Sequence, residues 1–133
     1  MFEDLVGNPI IQDPKPAEPD NMKKIRECLL NIAPDFVEFI ERFGSVDIGY
    51  GNLVIYGWIE DLAGFFEKNM GERPIVDAWL FGDNYSGDFH AIDKKTGEVV
   101  FLSAGYSELD EIRYPSFEKF IRGFIEKLTL IHI

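Results

Sequence analysis

One cysteine, Cys28, stands in 133 residues. An internal disulfide is therefore impossible, and so is a zinc site built from several thiolates. Histidine is nearly as scarce, with only His90 and His132. Basic residues are few as well: 13 Lys and Arg stand against 24 Asp and Glu, for a net charge of −11. Such a field repels phosphates, which makes nucleic acid a poor ligand, whereas a basic protein is attracted and steered. The same charge also serves plain solubility. No apolar run approaches the ~18 residues needed to span a bilayer. The opening "MFEDLVGNPI" carries acids where an export signal carries Lys or Arg. A cytoplasmic protein without membrane contact is the expectation.

Several catalytic signatures are missing too. No G-x-x-x-x-G-K-[ST] or G-x-G-x-x-G loop occurs to cradle a phosphate, and no G-x-S-x-G elbow to expose a nucleophilic serine. What the chain has in plenty is apolar side chains, 46% of the total, with 12 phenylalanines. That is enough for one domain with one core.

Residues 1–20 hold Pro9, Pro14, Pro16 and Pro19 among acids and read as an extended arm, either lying on the domain or mobile, ahead of a domain that spans 21–133. Asp20 or Asn21 can cap a helix over "MKKIRECLLNI", with Met22, Ile25, Leu29 and Ile32 on one face and Cys28 beside them as a buried, inert thiol. Pro34 opens a second helix, "PDFVEFIERFG", whose Phe36, Phe39, Ile40 and Phe43 form the apolar side and whose Gly44 supplies the stop. "VDIGYGNLVIYG" predicts a strand pair around a Gly49–Gly51 turn, and "IEDLAGFFEKN" a short helix. "PIVDAWLFGD" is apolar on both faces and predicts a central strand. "GDFHAID" and "EVVFLSA" follow as strands, joined by a Lys94–Gly97 hairpin turn. "GYSELDEIRYP" reads as an acidic loop, after which Ser116 caps a last helix burying Phe117, Phe120, Ile121, Phe124, Leu128 and Ile131. Strands in a run joined by short turns predict an α+β fold, a mostly antiparallel sheet with helices packed around it.

The stretch "FGDNYSGDFHAIDKKTGEV" (81–99) gathers Asp83, Asp88, Asp93 and His90 among three glycines. As a calcium loop counted from Asp83 it fails at Tyr85, Asp88 and Lys94. Asp88 and His90 alternate onto one strand face and could share a transition metal, but two ligands do not make a site. A Ser86–His90–acid triad remains open, since triads assemble in space. The turn reading explains more. Gly82 and Gly87 permit positive φ, Asp83, Asn84 and Ser86 bond their own backbone, and Asp93 braces the second turn at Thr96–Gly97.

The same stretch resembles the central signature of the SUKH superfamily, the Smi/Knr-type domains, through Phe81, Gly82, Asp83, Asn84, Gly87, Asp88 and Asp93. "APDFVEFIERFG" is similar to that family's early helix motif, and "PSFEKFIRGFIEKL" to its closing helix. The resemblance covers roughly residues 22–130. It implies the α+β fold already expected and no shared catalytic residues; the residues themselves give no reason to expect a metal or a cofactor. It further implies a protein-binding role. Bacterial members are typically immunity proteins that neutralise secreted or contact-delivered toxins, often nucleases; fungal relatives act in cell-wall regulation.

Three functions follow as expectations: an immunity protein against a basic toxin domain, a regulatory adaptor without a toxin, and a small hydrolase or metal protein using Asp83, Asp88 and His90. For partner binding the candidates are the acidic loop, Glu108, Asp110 and Glu111, with Tyr106 and Tyr114 as aromatic anchors, and Trp58 beside Tyr56.

Overall fold

Proline placement sets where the first two helices begin. The structure, a computed structural model, describes residues 1–70, 76–102 and 112–131, the side chains of Met70 and Ile131 excepted. Helix α1 spans Pro19–Leu29 and α2 spans Pro34–Phe43, each with proline in its first turn, where the missing N–H has no intrahelical acceptor to lose. Glu18, not Asp20 or Asn21, is the residue before α1, and it makes no side-chain cap. Pro19 with its fixed φ starts the helix a turn earlier than a capping side chain would. Ile32 lies past the end of α1 and is only half-buried. Gly44 ends α2 at φ 70°, and its backbone lies so close to Lys15 that a Cβ would sit 1.8 Å from the carbonyl oxygen.

Seven strands are described: β1 (Ile11–Lys15), β2 (Ser45–Ile48), β3 (Leu53–Asp61), β4 (Ala78–Asp83), β5 (Phe89–Asp93), β6 (Val99–Leu102) and β7 (Ile112–Tyr114). They form one sheet in chain order, every pair antiparallel. Helix α3 (Leu62–Met70) follows β3, and α4 (Phe117–Ile131) closes the chain. The architecture is α+β, as the strand run predicts. β4 sits fourth of seven, in agreement with its two-sided apolar pattern. Ile112–Tyr114, read from sequence as part of a loop, is an edge strand, with Tyr114 paired to Val99.

The sheet buries both faces by different means. Ile48, Leu53, Ile55, Phe81, Ile92 and Val99 point to the side covered by α1, α2 and α4. Leu80, Phe89, Ala91, Val100 and Leu102 point the other way, where Leu62 and Phe66 of α3 cover them. Period-two alternation along each strand dictates this division.

Residues 1–20 belong to the domain. Phe2 is fully buried against Phe39 and Phe117, β1 pairs with β2, and Arg122 of α4 binds both carboxylate oxygens of Asp4, at 2.8 and 3.1 Å. Pro14 is tolerated because β1 is an edge strand, where a ladder donor can be spared.

Phe117 is where these pieces meet. Its ring lies 5.1 Å from Phe36, 5.2 Å from Phe39, 5.6 Å from Phe81 and 6.4 Å from Phe2, mostly edge to face. Two groups hold the start of α4 in place beneath it. Ser116 Oγ accepts the Lys119 N–H at 3.2 Å, and Asp35 Oδ2, from the first turn of α2, accepts the Glu118 N–H at 2.8 Å. Phe117→Ala is expected to cost about 3–5 kcal/mol, the range for truncating a fully buried phenylalanine; urea unfolding of the variant measures it, and a loss under about 1 kcal/mol contradicts the central position of this ring.

Candidate functional site

Residues 81–99 form two turns bonded to themselves and to their neighbours. Asp83 Oδ1 accepts the Tyr85 N–H at 3.1 Å. Asn84 Oδ1 accepts the N–H of Ser86 at 2.9 Å and of Asp88 at 3.2 Å, and the Asn84 amide donates to Asp88 Oδ2 at 2.8 Å. At the next turn Asp93 Oδ1 accepts from Lys95 and Thr96, at 2.7 and 3.1 Å, while Oδ2 pairs with Arg113 at 2.9 Å. Burial opposes ionisation of Asp93, but Arg113 and the two backbone donors outweigh it and hold the carboxyl below its ordinary value. Gly87 takes φ 86°, as the turn reading requires. Gly82 does not have positive φ. It is needed for closeness, since a Cβ there would stand 2.3 Å from the Val54 carbonyl oxygen of the neighbouring strand.

His90 lies away from these carboxylates' bonds. It is 2% exposed, among Phe81, Phe101 and Phe120. Among the described residues its Nδ1 has no hydrogen-bond partner, and no group of three or more His, Cys, Asp or Glu is placed to hold a metal. Burial lowers its pKa to about 4, although Asp88 and Asp83 favour the charged form. The unfolded chain then takes up a proton near pH 6.5 that the folded chain refuses until about pH 4. Stability is therefore full above pH 6.5 and falls with pH across that window, by about 3 kcal/mol at most.

A second set of residues has the character of a binding surface. Tyr56 and Trp58 of β3 project from the sheet face opposite α1, α2 and α4, beside the region that α3 covers. Their rings stack at 4.4 Å with an interplanar angle of 16°. The Tyr56 hydroxyl donates to Asp83 Oδ2 at 2.5 Å, and burial together with that carboxylate raises its pKa far above the ordinary phenol value. Trp58 is 36% exposed. These rings, with Asp13, Asp47 and Tyr85, line an open hollow of about 330 Å³ that Lys15 also borders. Tyr85 is 74% exposed and its ring covers Gly51; Tyr50, on the adjoining turn, is 81% exposed.

The backbone is strained at this place. Among the described residues, three that are not glycine have positive φ: Asp13 at 50°, Tyr50 at 56° and Tyr85 at 63°. Asp13 and Tyr85 line the hollow, and Tyr50 is next to Gly51 under the Tyr85 ring. A left-handed conformation costs an L-residue roughly 1–2 kcal/mol, and such strain concentrates at functional surfaces. Folding alone favours glycine at an exposed turn position like Tyr50.

Of the residues expected to bind a partner, Trp58 lies at this surface. Tyr114 does not. It is half-buried on β7, its ring 5.0 Å from Phe120 on the other face of the sheet. Glu108, Asp110, Glu111 and Tyr106 lie outside the described residues. Tyr50, Tyr85, Asp13 and Asp47 were not expected here; the tyrosines sit in turn segments otherwise made of small and polar residues, and that mismatch was their signal. Compared with family models, curated protein sequences and solved structures, the chain matches none.

Two measurements check these readings. Tyr50→Gly is expected to stabilise the fold by about 1 kcal/mol, whereas a loss of stability in urea unfolding means that the ring holds the turn. His90→Leu is expected to flatten the fall in stability between pH 6.5 and pH 4; an unchanged pH profile means the fall comes from other groups.

Proposed function

We propose that this chain is a non-catalytic protein-binding domain whose partner is a basic protein. Taken with the resemblance of residues 81–99 to the SUKH signature, the reading becomes an immunity protein, one that neutralises a secreted or contact-delivered toxin domain by covering it. The observation that carries the binding role is the exposed group of Trp58, Tyr85 and Tyr50, two of them in strained backbone, beside Asp13 and Asp47 on a chain of net charge −11. Large aromatic side chains held rigidly and rimmed by charge are what binding hot spots are made of. Nuclease clefts are basic because they hold phosphates, so carboxylates on this face complement them and speed encounter.

The carboxylates of the signature support the non-catalytic part. Asp83, Asp88 and Asp93, with Asn84, bond turn N–H groups, the Asn84 amide, the Tyr56 hydroxyl and Arg113.

Calorimetric titration with the C-terminal domain of a large exported protein encoded beside this chain tests the reading. Tight binding that weakens with added salt, and loss of that domain's toxicity, are expected. Trp58→Ala is expected to weaken binding by about 2 kcal/mol, roughly thirtyfold, while the variant stays folded. Absence of heat with a folded, basic partner removes the toxin and favours the adaptor role.

A further inference from the structure

A cavity of about 520 Å³ opens on the other face of the sheet, between β5, β6 and β7 and the helix α4. Phe101, Tyr114, Phe120 and Phe124 wall it, and His90 lines it. Its size is that of a small-molecule site, mostly apolar with a few polar groups. Three features of the cavity have no purpose within the described chain.

The first is His90. Its imidazole is buried and held neutral, yet Nδ1 has no hydrogen-bond partner among the described residues. A buried polar atom without a partner costs stability unless something brought to the site supplies one. The second is Gly123. It lies inside α4, where glycine is the poorest helix former after proline. No packing explains it, because a Cβ built there meets nothing within 4 Å. The missing side chain leaves the cavity wall open. The third is the pair Lys119 and Lys127, eight residues apart on α4 and both bordering the cavity. Neither forms an ion pair among the described residues, in a chain with almost twice as many acids as bases.

From these we infer that the cavity binds a small aromatic carboxylate whose buried end carries a hydrogen-bonding group. The ring lies among Phe101, Tyr114 and Phe120; Phe101 and Phe120 each meet His90 at 5.2 Å, edge to face and tilted respectively, and Tyr114 meets Phe120 edge to face at 5.0 Å. The buried polar group completes the hydrogen bonding of His90. The carboxylate stays at the mouth between Lys119 and Lys127, where charge is least costly to keep hydrated. An acyl chain fits the volume less specifically, since it uses neither the ring edges nor His90. This site shares no residue with the Trp58 face, so it stands whether or not that face binds a protein.

The test uses the full chain and three probes: 2-naphthoate, 6-hydroxy-2-naphthoate and the neutral 2-naphthalenemethanol. Saturable one-to-one binding of 2-naphthoate is expected, with a dissociation constant on the order of 100 µM for a ligand of this size. The neutral alcohol is expected to bind at least about tenfold more weakly, and replacing both lysines (Lys119→Gln with Lys127→Gln) to weaken the carboxylate to the same degree. The hydroxyl is expected to improve affinity by about fivefold, an advantage lost in His90→Phe. Gly123→Leu fills the cavity mouth and is expected to abolish binding, whereas Gly123→Ala retains it; both are placed where the helix has room. No saturable binding of either naphthoate to the folded chain overturns the site, as does binding indifferent to Gly123→Leu. Equal binding of acid and alcohol overturns the carboxylate, and a hydroxyl advantage that survives His90→Phe overturns the role of His90.

Discussion

The core between the sheet and helices α1, α2 and α4 is arranged around the ring of Phe117. Four buried phenylalanines from three other segments touch it: Phe2 near the start of the chain, Phe36 and Phe39 on α2, and Phe81 on the central strand. Each such pair adds about 0.5–1.5 kcal/mol beyond the burial of its area. The position of α4 is fixed at the same point by Ser116 and Asp35, so backbone polarity and apolar packing agree on one geometry. With helix and sheet locked there, the rest of the sheet is free to differ from edge to edge.

Those edges differ in surface and in packing. Toward β1, on the face away from α4, the surface carries Trp58, Tyr85 and strained turn backbone, with carboxylates around them. Toward β7, beneath α4, the structure leaves an apolar cavity where, among the described residues, His90 Nδ1 has no hydrogen-bond partner and two lysines stand outside any ion pair. A chain held together so firmly elsewhere can retain such locally unfavourable features, because one or two kcal/mol of strain is tolerable where the core supplies a surplus.

Much of this was legible in the sequence. The helices over Pro34–Phe43 and Phe117–Ile131, the central strand and both polar turns follow from periodicity, proline and turn chemistry. Asp93 braces its turn as its spacing to Thr96 suggests. The errors have physical causes. Prolines in residues 1–20 suggested an arm, but edge-strand pairing tolerates Pro14, and the anchor, Phe2, is a single residue with no periodic pattern to reveal it. Gly82 was read through its freedom in φ, whereas its importance is the 2.3 Å approach of Val54, a tertiary fact invisible along the chain. Tyr114 read as an exposed anchor because the three-residue strand that buries it is too short to show alternation. The face proposed to bind a partner is harder still to read. Trp58 stands out along the chain, but Asp13, Asp47, Tyr50 and Tyr85 come from two strands and two turns that only the sheet register brings together.

The most direct measurement is amide chemical-shift mapping of the isotope-labelled chain as a basic domain of the proposed partner class is titrated in. Perturbations are expected to centre on Asp13, Asp47, Tyr50, Tyr56, Trp58 and Tyr85, with the signals of α1 and α2 little changed. Perturbations centred on α1 and α2, with the Trp58 face unmoved, contradict the assignment of that face as the binding surface.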